Sequence, residues 1–288
     1  MFKIKSSIDR RRLLGCGGVT IAATLLPDSS RAALPVQTYD PFAPVKPNYA
    51  KFHKQLFDRK GARHIVDRLW REYVSTGIDD YAIWAMMYWY NYWRLVPLGK
   101  ERISAAKVGK KMAAQMLSKR KKSAWATFWQ ASFVGLEAIS IGVLNAAQLL
   151  PEFKDKMEEV IGLDPDLYYG NAYLGLAKLY IKAPAFPVSL GNPEKGYRML
   201  DKAGQYQEGK FALWYQFLAE AEMNRSGKQA AYRILDRLEK EVQPPDIASQ
   251  YILETARMDA ASFRLAVEEG RYNKYKWDPL YEPLKTSG

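Results

Sequence analysis

The sequence predicts an all-α fold built from antiparallel helix pairs, and three observations lead to this prediction. Ala, Leu, Lys and Glu are frequent, whereas only 19 of the 288 residues are Gly and 15 are Pro, a balance that favours helices over sheets. Segments that alternate polar and apolar residues, as strands do, are not found at useful length. Start and stop signals of helices recur instead. Because 48% of the residues are hydrophobic, the chain can form one substantial core.

The first 33 residues are predicted to be an export signal. The stretch "DRRRLLG" fits the twin-arginine pattern, with Arg10 and Arg11 as the pair, and the small residues Ser30 and Ala32 suit a signal peptidase. This interpretation predicts a periplasmic protein. Cys16, the only cysteine, follows the arginines without an apolar segment between them, so a lipid-anchored form is the less favoured alternative. Once the signal is removed, the chain has no thiol for a disulfide or a metal.

Residues 34–48 are rich in Pro and predict an extended linker, and residues 49–288 predict a single helical-repeat domain. Its first clear helix, "DRLWREYVSTG", ends at Gly77. The next, "DDYAIWAMMYWYNYWRLV", has Asp79 or Asp80 as its expected N-cap. A basic segment and a nearly uncharged one follow, and both are predicted to be helical.

The later helices have clearer boundaries. Asp166 is the expected N-cap of "LYYGNAYLGLAKLY". Asn192, Pro193 and Glu194 give a helix start with a cap, a first-turn proline and an acidic residue at the positive end of the helix dipole. Three further helical segments extend the pattern to Gly270, so the expected helices continue almost to the end of the chain.

The helices are expected to form pairs. From Leu218 through Gly227 and Ala231 to Leu235, small and large residues follow the spacing of a tetratricopeptide-type helix pair. The preceding unit has the same ingredients but is longer. Its extra residues, "APAFPVSLGN" (183–192), form an unusually apolar loop.

Positive charge is concentrated in one segment. The net charge is +12, of which the first 33 residues contribute +4 and the segment Lys100 to Lys122 contributes +8, so the rest of the chain is neutral overall. This segment can be a solvated outer face, or it can contact an anionic membrane surface or an acidic partner. Export argues against nucleic acid as a partner.

Aromatic residues cluster on two predicted helices. The first carries Trp84, Tyr88 and Tyr92 on one face and Trp89 and Trp93 on another, and the second carries Trp129 and Phe133 among others. Such residues usually form core. A helix that is aromatic on two faces is harder to bury in a repeat array, however, so the wall of a ligand cavity is the other interpretation.

Glu137 is the only charged residue between Ser123 and Leu150. A buried carboxylate needs a partner, so Glu137 is expected either to form an ion pair with a neighbouring helix or to anchor a bound ligand. The polar residues Gln130, Asn145 and Gln148 argue against a transmembrane span in this segment.

The sequence contains no recognisable motif for enzyme chemistry, metal binding or a cofactor. His53 and His64 fall on one helix face but about 16 Å apart along its axis, too far to share a metal. A nucleophile elbow, a Gly-rich phosphate loop and a Ser/His/Asp pattern are also missing from the sequence. A non-enzymatic protein is therefore predicted.

Residues from about Leu149 to Pro245 resemble the T component of tripartite ATP-independent periplasmic (TRAP) transporters, a family of tetratricopeptide-like helical proteins. Asn171 and Gly196 stand where that family usually has Gly and Ala, and the twin arginines replace its frequent lipoprotein signal. The resemblance is thin before Ser123. The motifs that carry it are Leu163-Asp164-Pro165, Tyr168-Tyr169-Gly170, Leu174-Gly175, Leu179-Tyr180, Lys182-Ala183-Pro184, Pro187, Ser189, Gly191 and Glu194-Lys195.

The resemblance implies a helical array or bundle with a central pore or cleft, which assists a periplasmic solute-binding protein and can form homo-oligomers. On this interpretation the apolar loop borders the cavity, and a hydrophobic or amphipathic small molecule binds inside. The alternative is a protein–protein scaffold with no small-molecule ligand. The residues predicted to bind the ligand are Trp84, Tyr88, Trp89, Tyr92, Trp93, Trp129, Phe133, Glu137, Tyr168, Tyr169, Tyr173, Phe186 and Val188.

Overall fold

A computed structural model of the chain describes residues 58–142, 145–245 and 247–281. The predicted export signal (1–33), the linker (34–48) and His53 lie outside these residues. The described part is all-helical and contains no strand, which confirms the predicted fold class. No helix in these three ranges is both long enough and apolar enough to cross a lipid bilayer.

Ten helices and one short 3-10 turn (Pro279–Tyr281) make up the described chain. The helices are α1 (Arg59–Thr76), α2 (Asp79–Leu95), α3 (Lys100–Lys119), α4 (Ala124–Ile141), α5 (Leu150–Leu163), α6 (Leu167–Lys182), α7 (Pro193–Gln207), α8 (Ala212–Arg225), α9 (Lys228–Glu241) and α10 (Ile247–Glu268).

Consecutive helices pack as pairs, which are α1 with α2, α3 with α4, α6 with α7, and α8 with α9. The even-numbered helices also contact one another in sequence from α2 to α10. These five helices form an inner layer, and the odd-numbered helices cover it from outside. This arrangement agrees with the predicted array of antiparallel pairs.

Local sequence signals account for several helix ends. Gly77 ends α1 in a left-handed conformation, which glycine adopts without a steric penalty. Asn192 caps α7 by accepting a hydrogen bond from the backbone N–H of Lys195 (3.0 Å), as predicted. The predicted cap of α2 is wrong, because Ile78 is the N-cap and Asp79 and Asp80 lie in the first turn, where their charge still favours the positive end of the helix.

The aromatic helix α2 lies in the core. Trp84, Tyr88, Trp89, Tyr92 and Trp93 are all buried, which is typical of a helix that is apolar on every side. The indole N–H of Trp89 donates to the carbonyl oxygen of Ala105 (2.7 Å), and that of Trp93 donates to the hydroxyl of Ser140 (3.2 Å). Both faces of α2 are therefore covered by neighbouring elements.

An ion pair joins the beginning of the inner layer to its end. The guanidinium of Arg94 on α2 donates two hydrogen bonds to the carboxylate of Asp259 on α10, one of them 3.0 Å long. Arg94 is 1% exposed and Asp259 4%. A few residues away, the hydroxyl of Tyr251 donates to the side-chain oxygen of Asn91. These contacts close the five inner helices into a ring.

Replacing Asp259 with Ala should lower the free energy of unfolding by about 3–5 kcal/mol, because Arg94 would remain as a buried unpaired charge. The double variant Arg94→Met/Asp259→Leu removes both charges and should recover a large part of this loss. Urea denaturation followed by circular dichroism measures both values. A single variant as stable as the wild type would show that the pair does not hold the ring together.

Candidate ligand-binding site

A cavity of about 280 Å³ is lined by helices of the inner layer, by α5 and by residues that follow α10. Lys274 and the exposed residue Tyr275 are also part of its lining. Most of its wall is apolar, and side chains of α4, α5, α6 and α8 contribute to it. The main apolar contributors are Phe128, Leu136, Ile139, Phe153, Met157 and Phe217.

Two glycines shape the apolar end of the cavity. A Cβ on Gly135 of α4 would lie 3.0 Å from the ring of Phe153, and one on Gly175 of α6 would lie 3.3 Å from the same ring. Because both positions lack a side chain, the ring of Phe153 on α5 fits between α4 and α6. Gly175 belongs to the motifs that carry the family resemblance.

The other end of the cavity contains a network of charged groups. The ammonium of Lys182 donates to the carboxylates of Glu220 (3.0 Å) and Asp278 (2.9 Å) and to the carbonyl oxygen of Trp277 (2.9 Å). The ammonium of Lys178 also binds Asp278, at 2.9 Å and 3.1 Å from its two oxygens. Residues from α6, α8 and the end of the chain meet here, so the network connects three separate elements.

Burial and pairing shift the protonation equilibria of this network. Burial alone would lower the pKa of Lys182, but the charges of Asp278 and Glu220 outweigh it and raise that pKa above its ordinary value. Burial would raise the pKa of Asp278, yet Lys178 and Lys182 hold it well below its ordinary range. Burial raises the pKa of Glu220, although Lys182 acts in the opposite direction. Glu220 is therefore the carboxylate whose charge is least well compensated.

Two buried oxygen atoms at this end have no hydrogen-bond partner among the described residues, namely Oε1 of Glu220 and Oε1 of Gln216. Glu220 is 1% exposed and Gln216 5%, and both line the cavity. They lie one turn apart on α8, so they project from the same face of that helix. A buried acceptor without a partner is costly, and a bound group that donates hydrogen bonds would remove this cost.

Residues 270–281, here called the C-terminal segment, complete the wall. Lys274, Tyr275, Asp278, Leu280 and Tyr281 all line the cavity. The indole of Trp277 is buried and packs against the rings of Phe263 and Tyr272 at 5.4 Å and 5.6 Å. No pattern in the sequence was interpreted as predicting a role for this segment, although "YNKYKWDPLY" combines aromatic and charged residues in a way that is typical of an ordered segment.

None of the thirteen residues predicted to bind a ligand is among the described residues that line this cavity. Trp129 and Phe133 are buried on α4, where the ring of Phe133 lies against Gly109 of α3. The adjacent Phe128 lines the cavity instead. The cavity thus has aromatic residues in its wall, but they are not the predicted ones.

Glu137 faces outward from the inner layer and pairs with α3. Its carboxylate forms an ion pair with Lys110 and lies 3.8 Å from the ammonium of Lys107. This is the structural ion pair with a neighbouring helix, which was one of the two interpretations of Glu137 from the sequence. Other basic residues of the segment Lys100 to Lys122 are also engaged, since Arg102 lies over the ring of Trp93 (3.9 Å) and Arg120 pairs with Asp79 (3.1 Å). Contact of this segment with a membrane surface stays a prediction.

The predicted tyrosines lie around the start of α6. Tyr168 and Tyr169 have left-handed backbone conformations, with φ of 49° and 58°, which residues other than glycine rarely adopt. Both rings pack against Phe211, at 5.2 Å and 5.3 Å. The ring of Tyr173 stacks on that of Tyr206 at 6.0 Å. Their contact with a ligand stays a prediction.

The apolar loop turns back on itself between α6 and α7. The backbone N–H of Gly191 donates to the carbonyl oxygen of Pro184 (2.8 Å), and a Cβ on Gly191 would lie 2.1 Å from the carbonyl oxygen of Ala183. Phe186 is 86% exposed and Val188 68%. The base of the loop, at Ala183, lines the cavity, but the tip of the loop projects into solvent instead of forming the predicted rim of the cavity.

Within the described ranges, His, Cys, Asp and Glu side chains do not form any group of three or more that could hold a metal ion. His64 is exposed on α1. Comparison of the chain with models of known protein families and with curated proteins finds no match.

The charge of Asp278 should make the free energy of unfolding depend on pH in the acidic range. Because its pKa is depressed in the folded state, the stabilisation is present above the ordinary aspartate pKa of about 4 and is lost as the pH falls below it. The stability advantage of the wild type over Asp278→Asn should therefore shrink by about 1–2 kcal/mol between pH 6 and pH 3.

Urea titrations at several pH values measure this difference. Asp201 is exposed on α7, so Asp201→Asn provides the control and should show a constant difference from the wild type. If Asp278→Asn also kept a constant difference across this pH range, the ion pairs of Asp278 with Lys178 and Lys182 would not contribute to stability.

Proposed function

We propose that this protein is a non-enzymatic binding protein of a periplasmic solute transport system, and that it holds a hydrophobic or amphipathic small molecule in the cavity. The observation that carries the proposal is the combination of a largely apolar wall with unpartnered polar atoms at one buried end. Ligand sites commonly have this composition, with an apolar lining and a few polar groups that orient the ligand.

The size of the cavity supports a small ligand. An apolar cavity of about 150 Å³ can hold benzene, so a volume of about 280 Å³ accommodates a molecule about twice as large. Tyr275 both lines the cavity and is exposed to solvent, so the proposed route of entry for the ligand passes the C-terminal segment.

The charged groups of the cavity suit binding better than catalysis. Lys182 is half-buried and Asp278 is buried, and their ion pair holds the C-terminal segment against α6 and α8. A general acid or base must be free to exchange a proton with a substrate, whereas the ion pairs hold the pKa of each of these two groups far from neutrality in the charged form. Their role is therefore to build the polar end of the site.

The transport assignment rests on the resemblance to the TRAP T components and on the predicted export signal. Leu174, Gly175, Leu179, Lys182 and Ala183 belong to the motifs of that resemblance, and all five line the cavity. In such a system the partner would be a periplasmic solute-binding protein. The exposed side chains of Phe186 and Val188 offer a place for it to dock, because an isolated apolar loop tip in solvent suits a protein interface.

Native mass spectrometry of the protein purified from its own host tests the proposal. The wild type should carry an additional mass from a co-purified small molecule. Ser132 lines the apolar part of the cavity, so Ser132→Phe should fill that space and abolish the additional mass.

Ser118→Phe is the matched control, because Ser118 is exposed on α3 and the added ring would lie outside the cavity. Circular dichroism should confirm that both variants remain folded. A wild-type protein without additional mass would favour the alternative of a protein–protein scaffold, in which the exposed loop tip is the working surface. Retention of the additional mass in a folded Ser132→Phe variant would place the ligand elsewhere.

A further inference from the structure

Buried hydrogen-bond acceptors belong to residues that line the polar end of the cavity. Oε2 of Glu220 accepts from Lys182, whereas Oε1 of Glu220 and Oε1 of Gln216 are the buried atoms without a partner in the described structure. The ion pair with the ammonium of Lys182 (3.0 Å) favours the ionised form of Glu220, and the oxygens of an ionised carboxylate only accept hydrogen bonds. The end of the ligand that reaches Glu220 must therefore donate a hydrogen bond.

Lys178 can donate a hydrogen bond to the same group of the ligand. The three N–H groups of Lys182 are all used, by Glu220, Asp278 and the carbonyl oxygen of Trp277. Lys178 also lines the cavity and also has three N–H groups, but within the described residues its hydrogen bonds go to Asp278 alone. Lys178 therefore has N–H groups left to donate to an acceptor on the ligand.

The charged groups around this position balance in number, with two ammonium groups and two carboxylates. Lys178 and Lys182 face Asp278 and Glu220, and Arg94 pairs with Asp259. A ligand with a charged end would add a charge without a counterion to this buried network, and a buried unpaired charge is strongly unfavourable. An anion would also lie beside the carboxylates of Glu220 and Asp278, and a cation beside the two ammonium groups.

We infer that the buried end of the ligand is an uncharged group that both donates and accepts a hydrogen bond, an alcohol or a primary amide, held between Glu220 and Lys178. The inference rests on the proposed function, since it specifies what the cavity binds. A cavity of about 150 Å³ can hold benzene, and this cavity of about 280 Å³ is nearly twice as large. A ligand that fills it, with its polar end and its apolar body together, has roughly ten to twelve non-hydrogen atoms.

Four probes of equal chain length test the inference: 1-decanol, decanamide, decanoate and decylamine. The full-length protein is first passed over a lipid-adsorbing resin, and each probe is then titrated by calorimetry at pH 7.5 below its micelle concentration. 1-Decanol and decanamide should bind at least tenfold more tightly than decanoate and decylamine. Tighter binding of either charged probe would overturn the inference.

Glu220→Gln tests the residue itself. The amide oxygen of the introduced glutamine can still accept a hydrogen bond from Lys182. Its N–H group would then replace the carboxylate oxygen that faces the ligand, and one negative charge is lost. The ratio of 1-decanol affinity to decanoate affinity should fall at least tenfold. Glu222→Gln is the control, because Glu222 lies on the same helix but not in the cavity wall, and it should leave the ratio unchanged.

A purely structural role of Glu220 would weaken all four probes equally, so an unchanged ratio in Glu220→Gln would also overturn the inference. If none of the probes binds, the inference is refuted. Whether the proposed function is refuted as well is then decided by native mass spectrometry, which shows whether the host-purified protein carries an additional mass. If a charged probe binds best and Ser132→Phe blocks it, the proposed function stands and only the assignment of the buried end is refuted.

Discussion

The ion pair between Arg94 and Asp259 is the constraint on which the rest of the structure depends. An array of helix pairs is normally open-ended, because each pair contacts only its neighbours. Here the second helix binds the last one across 165 positions of the chain, so the inner helices surround a common interior. The cavity lies in this interior, where α4, α5, α6 and α8 contribute to its wall.

A second group of ion pairs determines the chemistry of that interior. Lys182 holds Glu220 and Asp278 together and thereby attaches the C-terminal segment to the ring. Because all three N–H groups of Lys182 are used, one oxygen of Glu220 is left without a donor from the described residues. The same network therefore stabilises the fold and leaves a polar position at the end of an apolar space. In this account structural stability and ligand recognition share Lys182, and a change at this residue would affect both.

Local information in the sequence was enough for the fold class and for individual elements such as the start of α7 at Asn192, because helix periodicity and capping depend on residues close in the chain. The candidate site could not be predicted in the same way. Whether Phe128 or the adjacent Trp129 faces the cavity depends on how α4 is rotated against α3 and α6, and periodicity does not determine that rotation. The partners of Lys182, Glu220 and Asp278, lie 38 and 96 positions further along the chain, so the motif that contains Lys182 could be recognised without the carboxylates that pair with it.

The most direct test of the central claim is a crystal structure of the protein soaked with 10-bromo-1-decanol and measured for the anomalous signal of bromine. The account predicts one bromine peak among Phe153, Met157 and Leu136, with the alkyl chain extending to a hydroxyl within hydrogen-bond distance of Glu220. A cavity whose walls have collapsed onto one another, or a bromine peak only at the exposed loop or in the crystal solvent, would contradict the claim that a ring of helices closed by Arg94 and Asp259 surrounds a ligand site.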